Sequence, residues 1–546
     1  MEDYYTLVSD CVHSLSSLFT FDLLLEISET SRQNSNFIYE LQIHDHTEQP
    51  IYYANTSQIE RFRKINTLTI PNHYFYKYLS KLTHINNIRC NHLKQLDDIT
   101  KLTNLTSVRI IDEQPDEFFH TYLKKLHDYN TRQNYEFNEI TSFTRLTYIR
   151  ALTLNNCYDL EQFVIFSNLK CLEMDVRDDA FKLSMLKSLH KLSMLKSLLH
   201  LTIGGLFHRH FMGEYSFVIE HPGITGLKIL NGRHCIIQKC FNLKNLNVNA
   251  CQILDLKDAN LETLILSAHT YNLPMIIKFD ICKHVNLTHL ECHGMNVIGI
   301  KYVPSELIKL KKLMLTDGSI KIDPLISHNL THLFLDNYFY EFDMQKYINL
   351  KKLEIKYTQY VNINKLEELV DLKLHDQYFS NDIIDCNNFL NLTSLDLRSC
   401  VISNLFRLTK LNKLMLYNIF DNELDNIWRN DIPCLSKLIY LSLFRAGYDT
   451  HPSKILDAKY LSNCRLKYFH CNFGLDDLSE LYTLQDMEII YSRFNHDNIR
   501  KLTRLTNISI QFSTAKLKAN VKNLNRLRLN LSCAQNLILP KTKIIY

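Results

Sequence analysis

One short stretch of the chain brings together side chains that could bind a metal ion. His289, Glu291 and His293 alternate along the sequence His-Leu-Glu-Cys-His. If this stretch is a β-strand, the three side chains share one face, and two imidazoles with one carboxylate are ligands that zinc accepts. Residues two apart on a strand lie about 7 Å apart, which is wide for one ion without a further ligand. We therefore favour polar residues on a solvated face, with no resident metal, and keep the metal site as the alternative.

A second set of candidate residues is apolar. These side chains alternate with leucines of core type, so they are expected on the outward face of strands. Aromatic residues and methionine are enriched at protein interfaces and supply many of their strongest anchors. The alternative is that the rings stack along a sheet and only cover its backbone. The predicted partner-binding residues are Phe334, Met415, Tyr417, Tyr440 and Phe444.

Composition and motifs exclude several classes of function. The sequence has no phosphate-binding loop, dinucleotide fingerprint, kinase motif set or nucleophile elbow. Its 62 basic and 58 acidic residues leave a net charge of +4, which is not the strong basic excess that nucleic acid or an anionic membrane surface attracts. The most apolar window, residues 183 to 203, contains three lysines and two histidines and is too polar for a membrane span. We expect a protein-binding chain that is not an enzyme and needs no cofactor.

A repeated leucine phrase positions these candidates. It is clearest where Leu392-x-x-Leu395-x-Leu397-x-x-Cys400 is followed, nineteen residues on, by Leu411-x-x-Leu414-x-Leu416. Phrases of this form recur 21 times, and most neighbours lie 18 to 23 residues apart. Each predicts a short strand with two inward leucines. Leucines that step by three before several strands, as in Leu478, Leu481 and Leu484, indicate a turn of 3₁₀-helix.

The phrase resembles that of the leucine-rich repeat family over about nine tenths of the chain. The resemblance implies an α/β solenoid, a horseshoe with a parallel concave sheet of about 21–23 short strands and a mostly 3₁₀ or irregular convex side. Members of the family mostly hold a protein partner on the concave sheet. The position that they fill with Asn is Cys157, Cys251 and Cys400 here, but also Tyr338, Thr358 and Gln377, which predicts an incomplete asparagine ladder. The degenerate, Asn/Ile/Lys/Tyr-rich repeats also resemble the leucine-rich repeat proteins of giant DNA viruses.

We predict three segments in one continuous domain. Residues 1–60 form an N-terminal helical cap with a first irregular repeat, 61–535 the repeat array, and 536–546 a C-terminal cap. An irregular insertion at 112–142 contains a predicted amphipathic helix at 116–128. It represents a decayed repeat with a helix on the convex side, which we favour, or a helix that projects from the array.

The N-terminus carries an alternative function. Residues 7 to 32 resemble an F-box, although the Leu-Pro that opens that motif is missing. The resemblance implies a substrate-recognition adaptor of a ubiquitin ligase. The first five residues are acidic and polar rather than basic, and the 15 cysteines include no C-x-x-C pair. We expect a reduced, cytoplasmic compartment, the host cytoplasm if the protein is viral, and a monomer.

Overall fold

A computed structural model describes the chain in segments. The described residues are 40–42, 67–70, 87–90, 104–110, 150–155, 167–175, 189–204, 216–230, 234–268, 275–294, 297–316, 320–338, 343–357, 363–375, 383–445, 455–476, 478–490, 502, 504–511, 526–529 and 544–545. They fall into two compact units. The first unit comprises residues 1–284 with 296–299, and the second comprises 285–295 with 300–546.

Short parallel strands, one for each turn of the chain, make up the main sheet of each unit. In the first unit they are Glu40–Gln42, Thr67–Ile70, Asn87–Cys90, Ser107–Ile110, Ala151–Asn155, Cys171–Asp175, His200–Gly204, Gly226–Leu230, Asn245–Asn249 and Thr263–Ser267. In the second unit they are His289–His293, Lys312–Leu315, His332–Asp336, Lys352–Lys356, Asp371–His375, Ser394–Arg398, Lys413–Ile419, Tyr440–Arg445, Tyr468–Cys471, Asp486–Ile490, Asn507–Gln511, Arg526–Leu529 and Ile544–Ile545.

The predicted repeat phrases define the register of these strands. Leu313 pairs with Leu333, which pairs with Leu353, and the first core residue of each phrase aligns in the same way along each unit. Because most inward residues are leucines and most of their neighbours are polar, burial alternates along many of the described strands, as in Lys352–Lys356 and His332–Asp336. The 23 main strands in the described residues confirm the predicted fold, a leucine-rich repeat solenoid.

The other side of each coil holds shorter elements. The first unit has a five-stranded parallel sheet of Ser216–Glu220, His234–Gln238, Ile253–Leu256, Met275–Ile277 and Val297–Ile298. The second unit has paired strands Tyr302–Val303 with Lys321–Ile322, Ile383–Asp385 with Val401–Ser403, and Ile455–Leu456 with Gly474–Leu475. The described 3₁₀-helices are Leu189–Met194, Ile281–Lys283, Pro324–His328, Met344–Lys346, Cys386–Asn388, Leu405–Arg407, Ile432–Cys434, Ala458–Leu461 and Leu478–Glu480. The last of these confirms the predicted leucine step of three.

Aspartates start most of the short helices. The Asp343 carboxylate accepts the Gln345 N–H at 3.2 Å, and Asp457 accepts the Lys459 N–H at 2.9 Å. Each satisfies a backbone donor that the first helical turn leaves without an intrahelical partner. The same cap occurs at Asp280, Asp323 and Asp385.

Asparagine and threonine on either side of the leucine that precedes a strand bond several coils to the coil before them. Asn349 donates from its side-chain amide to the His328 carbonyl at 2.7 Å, and Asn391 donates to the Glu367 carbonyl at 3.3 Å. The Thr393 hydroxyl donates to the Val370 carbonyl at 3.1 Å. An asparagine ladder therefore exists, but it precedes the strand. At the position where the family usually has Asn, Tyr338 is buried and the Cys400 thiol contacts the Arg398 carbonyl at 3.2 Å.

One coil of the second unit is longer and more helical than its neighbours. Between strands Lys413–Ile419 and Tyr440–Arg445 lie an α-helix, Asp421–Asn426, a π-helical turn, Ile427–Asp431, and the 3₁₀-helix that follows. The buried Trp428 extends from this turn and donates its indole N–H to the Asp457 carbonyl at 2.9 Å. Its ring meets Phe473 edge-on, with centroids 5.6 Å apart. These contacts pack the helical coil onto the next coil.

Several expectations concern residues outside the described part of the chain. The F-box-like segment and the helix at 116–128 lie there, and so does the N-terminal cap apart from Glu40–Gln42. Val108 nevertheless pairs directly with Leu152, so no other strand of the main sheet lies between the strands of these two residues. At the C-terminus, Ile544–Ile545 pairs with Arg526–Leu529, whereas the predicted final strand at 537–540 is not described.

Candidate partner-binding face

The candidate site is the outward face of the main sheet in the second unit, called the outer face below. Its side chains alternate with the buried leucines, so each strand contributes two or three of them. Because neighbouring strands pair in register, the outward positions line up in columns that run across the sheet. Strands in a sheet lie about 4.8 Å apart, so column neighbours are in contact distance.

The three candidate metal ligands lie together on this face. The Glu291 carboxylate contacts His289 Nε2 at 2.6 Å and His293 Nε2 at 3.1 Å, and it accepts a hydrogen bond from Lys312 Nζ at 2.8 Å. Burial alone would raise the pKa of Glu291. The bonds from Lys312, His293 and His289 outweigh it and lower the pKa to about 2.

This arrangement is a charge cluster built around one carboxylate. Both Glu291 oxygens are engaged by the imidazoles, and one of them also by the ammonium of Lys312. Lys312 brings a positive charge to the place where a cation would bind, which opposes metal binding. Across the described residues, no group of three His, Cys, Asp or Glu side chains is arranged to hold a metal ion.

Ion pairs continue across the next strands. The Glu354 carboxylate contacts Lys356 at 2.7 Å and Lys373 at 3.0 Å. Further along, His375 Nε2 lies 3.1 Å from Asp396 Oδ1, and both side chains are about nine-tenths buried. The lysine–glutamate contacts of this part of the face, called the ion-pair ladder below, pair opposite charges within the chain.

Phe334 is separated from the other predicted anchors. Three strands separate its strand from Lys413–Ile419 in the sheet order. The ring is half-buried, and the Lys356 ammonium lies over it at 5.0 Å from the centroid. Phe334 thus lies on the predicted face but within the ion-pair ladder.

Tyr417 and Phe444 form one column of rings. They are register partners on adjacent strands, and their rings stack with centroids 4.9 Å apart and planes only 10° from parallel. Arg398, the register partner of Tyr417 on the preceding strand, places its guanidinium 4.8 Å from the Tyr417 centroid. The column thus consists of the Arg398 guanidinium followed by the stacked rings of Tyr417 and Phe444.

Tyr440 and Tyr468 form a second column parallel to the first. Lys413 lies over the Tyr440 ring at 5.1 Å, and the Tyr468 ring follows with its centroid 6.0 Å away. The Tyr440 hydroxyl also contacts His470 Nδ1 at 3.2 Å. Burial, the neighbouring Tyr417 and nearby carboxylates raise the pKa of Tyr440 to about 12, so its hydroxyl stays neutral and can donate.

Between these two columns lies a third, formed by the register partners Met415 and Ser442. Met415 is half-buried, whereas Ser442 is fully buried although it lies on the outward side of its strand. The Ser442 hydroxyl donates to the Tyr417 hydroxyl at 3.3 Å. Four of the five predicted anchors therefore belong to one surface, and the exposed Tyr468 joins them. This surface is called the ring patch below and consists of Met415, Tyr417, Tyr440, Phe444 and Tyr468.

Sequence reasoning from apolar residues alone overlooks the other groups of the ring patch. Arg398, Lys413 and His470 were missed because they are polar, and Tyr468 because it starts a strand whose phrase begins with Phe469. An alignment of the strand phrases would have identified them, because it places each of them in a column. Each lies in the same register as one of the predicted residues.

Comparisons with known proteins identify similar folds. No family model matches the chain, and no curated protein matches it either. Among solved structures, the functional domain of InlJ from Listeria monocytogenes is 15% identical, with 67% of this chain and 73% of that chain covered and a TM-score of 0.39.

Two further solved structures are comparable. A leucine-rich repeat protein of Leptospira interrogans is 13% identical, with 95% and 98% of the two chains covered and a TM-score of 0.26. A chain of the Toll–Spatzle complex of Drosophila is 14% identical, with 87% and 55% covered and a TM-score of 0.32. In the described residues no helix is long and apolar enough to span a membrane. The structural neighbours of this chain are leucine-rich repeat proteins.

Proposed function

We propose that this chain is a non-catalytic scaffold that binds a partner protein on the outer face of its second unit. The observation that carries the proposal is the ring patch, where two columns of rings, half-buried except for the exposed Tyr468, lie side by side on a sheet face. Rigid aromatic side chains supply large contact area with little loss of conformational freedom on binding. The proposed anchors are Met415, Tyr417, Tyr440 and Phe444, with Phe334 as a separate contact.

The fold supports the same role. In a solenoid each coil contacts only its neighbours, so the outward positions of successive strands make an extended surface on a rigid support. The proposal assigns the chain no reaction and no cofactor.

The expectations that reach further remain predictions from the sequence. The F-box-like alternative concerns residues 1 to about 45, of which only Glu40–Gln42 are described; no observation favours it. The likeness to proteins of giant DNA viruses, the cytoplasmic location and the monomeric state also remain predictions from the sequence.

The test is the double variant Tyr417→Asp/Phe444→Asp in affinity capture from the native cell. Two carboxylates in the ring column would oppose an apolar contact, so we expect the partner recovered by the wild-type chain to be lost. Phe420→Asp is the matched control. Phe420 is 62% exposed and follows the strand outside the ring patch.

Fluorescence of Trp428, the only tryptophan, reports whether the variants stay folded. If the double variant is folded and recovers the same partner as the wild-type chain, the proposal is wrong. If it fails to fold, the rings are structural, and Tyr417→Leu/Phe444→Leu, which keeps apolar volume, should then still lose the partner.

A further inference from the structure

One titratable side chain of the first unit occupies a place that the repeat often gives to leucine. His221 lies three residues before Ile224, the buried residue that precedes strand Gly226–Leu230. Buried leucines take this place in many of the described coils, at Leu307, Leu366, Leu408, Leu435, Leu481 and Leu502. His221 is itself only 1% exposed. A polar side chain at an interior position that is usually apolar needs hydrogen-bond partners of its own.

Backbone groups satisfy both nitrogens of the His221 imidazole. Its Nε2 lies 3.0 Å from the Leu195 carbonyl oxygen of the preceding coil. Its Nδ1 accepts the backbone N–H groups of Gly223 and Ile224, each at 3.1 Å. A carbonyl only accepts and a backbone N–H only donates, so the proton of the ring is on Nε2 and Nδ1 presents its lone pair. All three bonds together require the neutral imidazole.

The turn that His221 holds is a joint between two sheets of the first unit. It connects strand Ser216–Glu220 of the five-stranded sheet to strand Gly226–Leu230 of the main sheet. The following coil also holds this turn, because the Asn242 side-chain amide donates to the Pro222 carbonyl at 2.9 Å. The imidazole therefore fixes the joint to the preceding coil, and the asparagine fixes it to the next one.

The titratable and charged groups around His221, among the described side chains, come from three coils. Glu220, the residue before it, is paired with Lys239 of the following coil at 3.0 Å. Lys196, on the preceding coil, is exposed. Burial raises the pKa of the Cys240 thiol to about 11, so this thiol stays neutral. These groups supply no carboxylate that is committed to a charged imidazole.

Burial governs the ionisation of His221. It lowers the pKa of the ring from the ordinary 6.5 and outweighs the hydrogen bond to the Leu195 carbonyl, which raises the pKa. Above about pH 6.5 the ring is neutral whether the turn is closed or open. At lower pH the open turn takes up a proton more readily than the closed turn, so the closed turn loses stability as the pH falls.

We propose that His221 is an acid-sensitive latch, which holds the turn 221–224 closed when it is neutral and releases the turn when it is protonated. Protonation places a hydrogen on Nδ1, toward which the N–H groups of Gly223 and Ile224 point. Two backbone donors then lose their acceptor and face a positive charge. The joint between the two sheets loosens in mildly acidic surroundings. The latch belongs to the first unit, and its action does not require the partner-binding face.

Amide hydrogen exchange of the full chain at pH 7 and pH 5, resolved to single residues by mass spectrometry, tests the latch. Labelling times are scaled so that intrinsic exchange is equal at the two pH values. The open turn, with the ordinary histidine pKa of 6.5, gains population about tenfold over this interval, so the Gly223 and Ile224 amides should lose protection by about that factor. The control is Leu310, whose N–H bonds to the Leu307 carbonyl in a coil that has leucine at the place of His221. Its protection should stay constant.

The decisive variant is His221→Asn. The side-chain oxygen of asparagine accepts backbone N–H groups two residues on, so it replaces Nδ1 as an acceptor but takes up no proton between pH 7 and pH 5. Protection of Gly223 and Ile224 should then be equal at the two pH values. Wild-type protection that changes no more than that of Leu310, or the same acid-dependent loss in His221→Asn, would overturn the inference.

A second measurement needs no variant, and it decides the matter if His221→Asn leaves the turn unprotected at both pH values. Deuterium exchange at C2 of the imidazole, followed by mass spectrometry, reports the ionisation of His221 in the wild-type chain. We expect His221 to gain its charge in the same pH interval in which Gly223 and Ile224 lose protection. A ring that gains its charge while the turn stays protected would show that protonation does not open the turn.

Discussion

At the scale of single residues, the outer face changes character along the second unit. Glu291 is enclosed by two histidines and a lysine, and Glu354 by two lysines. Asp396, Asp486 and Glu488 lie beside histidines. The carboxylates of the first group are paired with lysines within the chain, whereas the ring patch presents aromatic rings, which is why the proposed partner contact is placed there.

The low pKa of Glu291 predicts a pH dependence of stability. A carboxyl whose pKa is near 2 in the folded chain and near 4.5 when unfolded stabilises the fold above pH 4.5, and this contribution disappears as the pH falls toward 2. We expect Glu291→Gln to lower the free energy of unfolding at pH 7 by about 2 kcal/mol, with allowance for solvent around the half-exposed Lys312.

Thermal unfolding at a series of pH values checks this expectation. The difference in melting temperature between wild type and Glu291→Gln should shrink between pH 5 and pH 2. Glu262→Gln is the control, because the Glu262–Lys244 pair is about half exposed. A pH-independent difference would show that Glu291 acts through packing rather than charge.

Candidate residues were predictable only where residue type alone was informative. The alternation rule placed Tyr417, Tyr440 and Phe444 on one face, and the structure brings them together. Phe334 obeys the same rule, but three strands separate its strand from Lys413–Ile419. Arg398 and Lys413 could not be found from their type, because their role over the rings depends on the register of the neighbouring strand.

At the scale of elements, the turns before and after several strands add hydrogen bonds between coils to those of the strands. Asn349 and Asn391 each lie directly before the leucine that precedes a strand, and both donate across coils. After the strand, residues such as Tyr357 and Ser399 adopt positive φ angles of 48° and 55° and donate their N–H to the next coil. The leucine phrase predicted the strands but not these backbone conformations, which side-chain patterns do not encode for non-glycine residues.

The asparagine bond can be tested with an almost isosteric change. Asn349→Asp removes the N–H₂ donor and places a carboxylate against the His328 carbonyl, so we expect a loss of about 1–2 kcal/mol in the free energy of unfolding. Asn329→Asp is the control at the same phrase position, where the structure shows no side-chain bond to the preceding coil. Denaturant unfolding followed by Trp428 fluorescence measures both. Equal losses would mean that the cross-coil bond contributes nothing.

At the scale of the whole molecule, the fold was predictable because its signal is repeated. One degenerate phrase would be ambiguous, but successive phrases that keep phase predict both the strand and its register, even across the 28-residue step from Leu441 to Phe469. The contents of the longer coils were not predictable. The consecutive α, π and 3₁₀ turns of residues 421–434 are fixed by tertiary contacts of Trp428 with Phe469, Phe473 and Asp457.

The most direct test of a partner-binding outer face is site-specific photo-crosslinking in the native cell. A photoreactive phenylalanine analogue is placed in the full chain at Met415, at Tyr440 and, as the control, at Phe420. The account predicts that Met415 and Tyr440 crosslink to the same protein and that Phe420 does not. Crosslinks from Phe420 with none from Met415 or Tyr440 would contradict it and place the binding surface elsewhere.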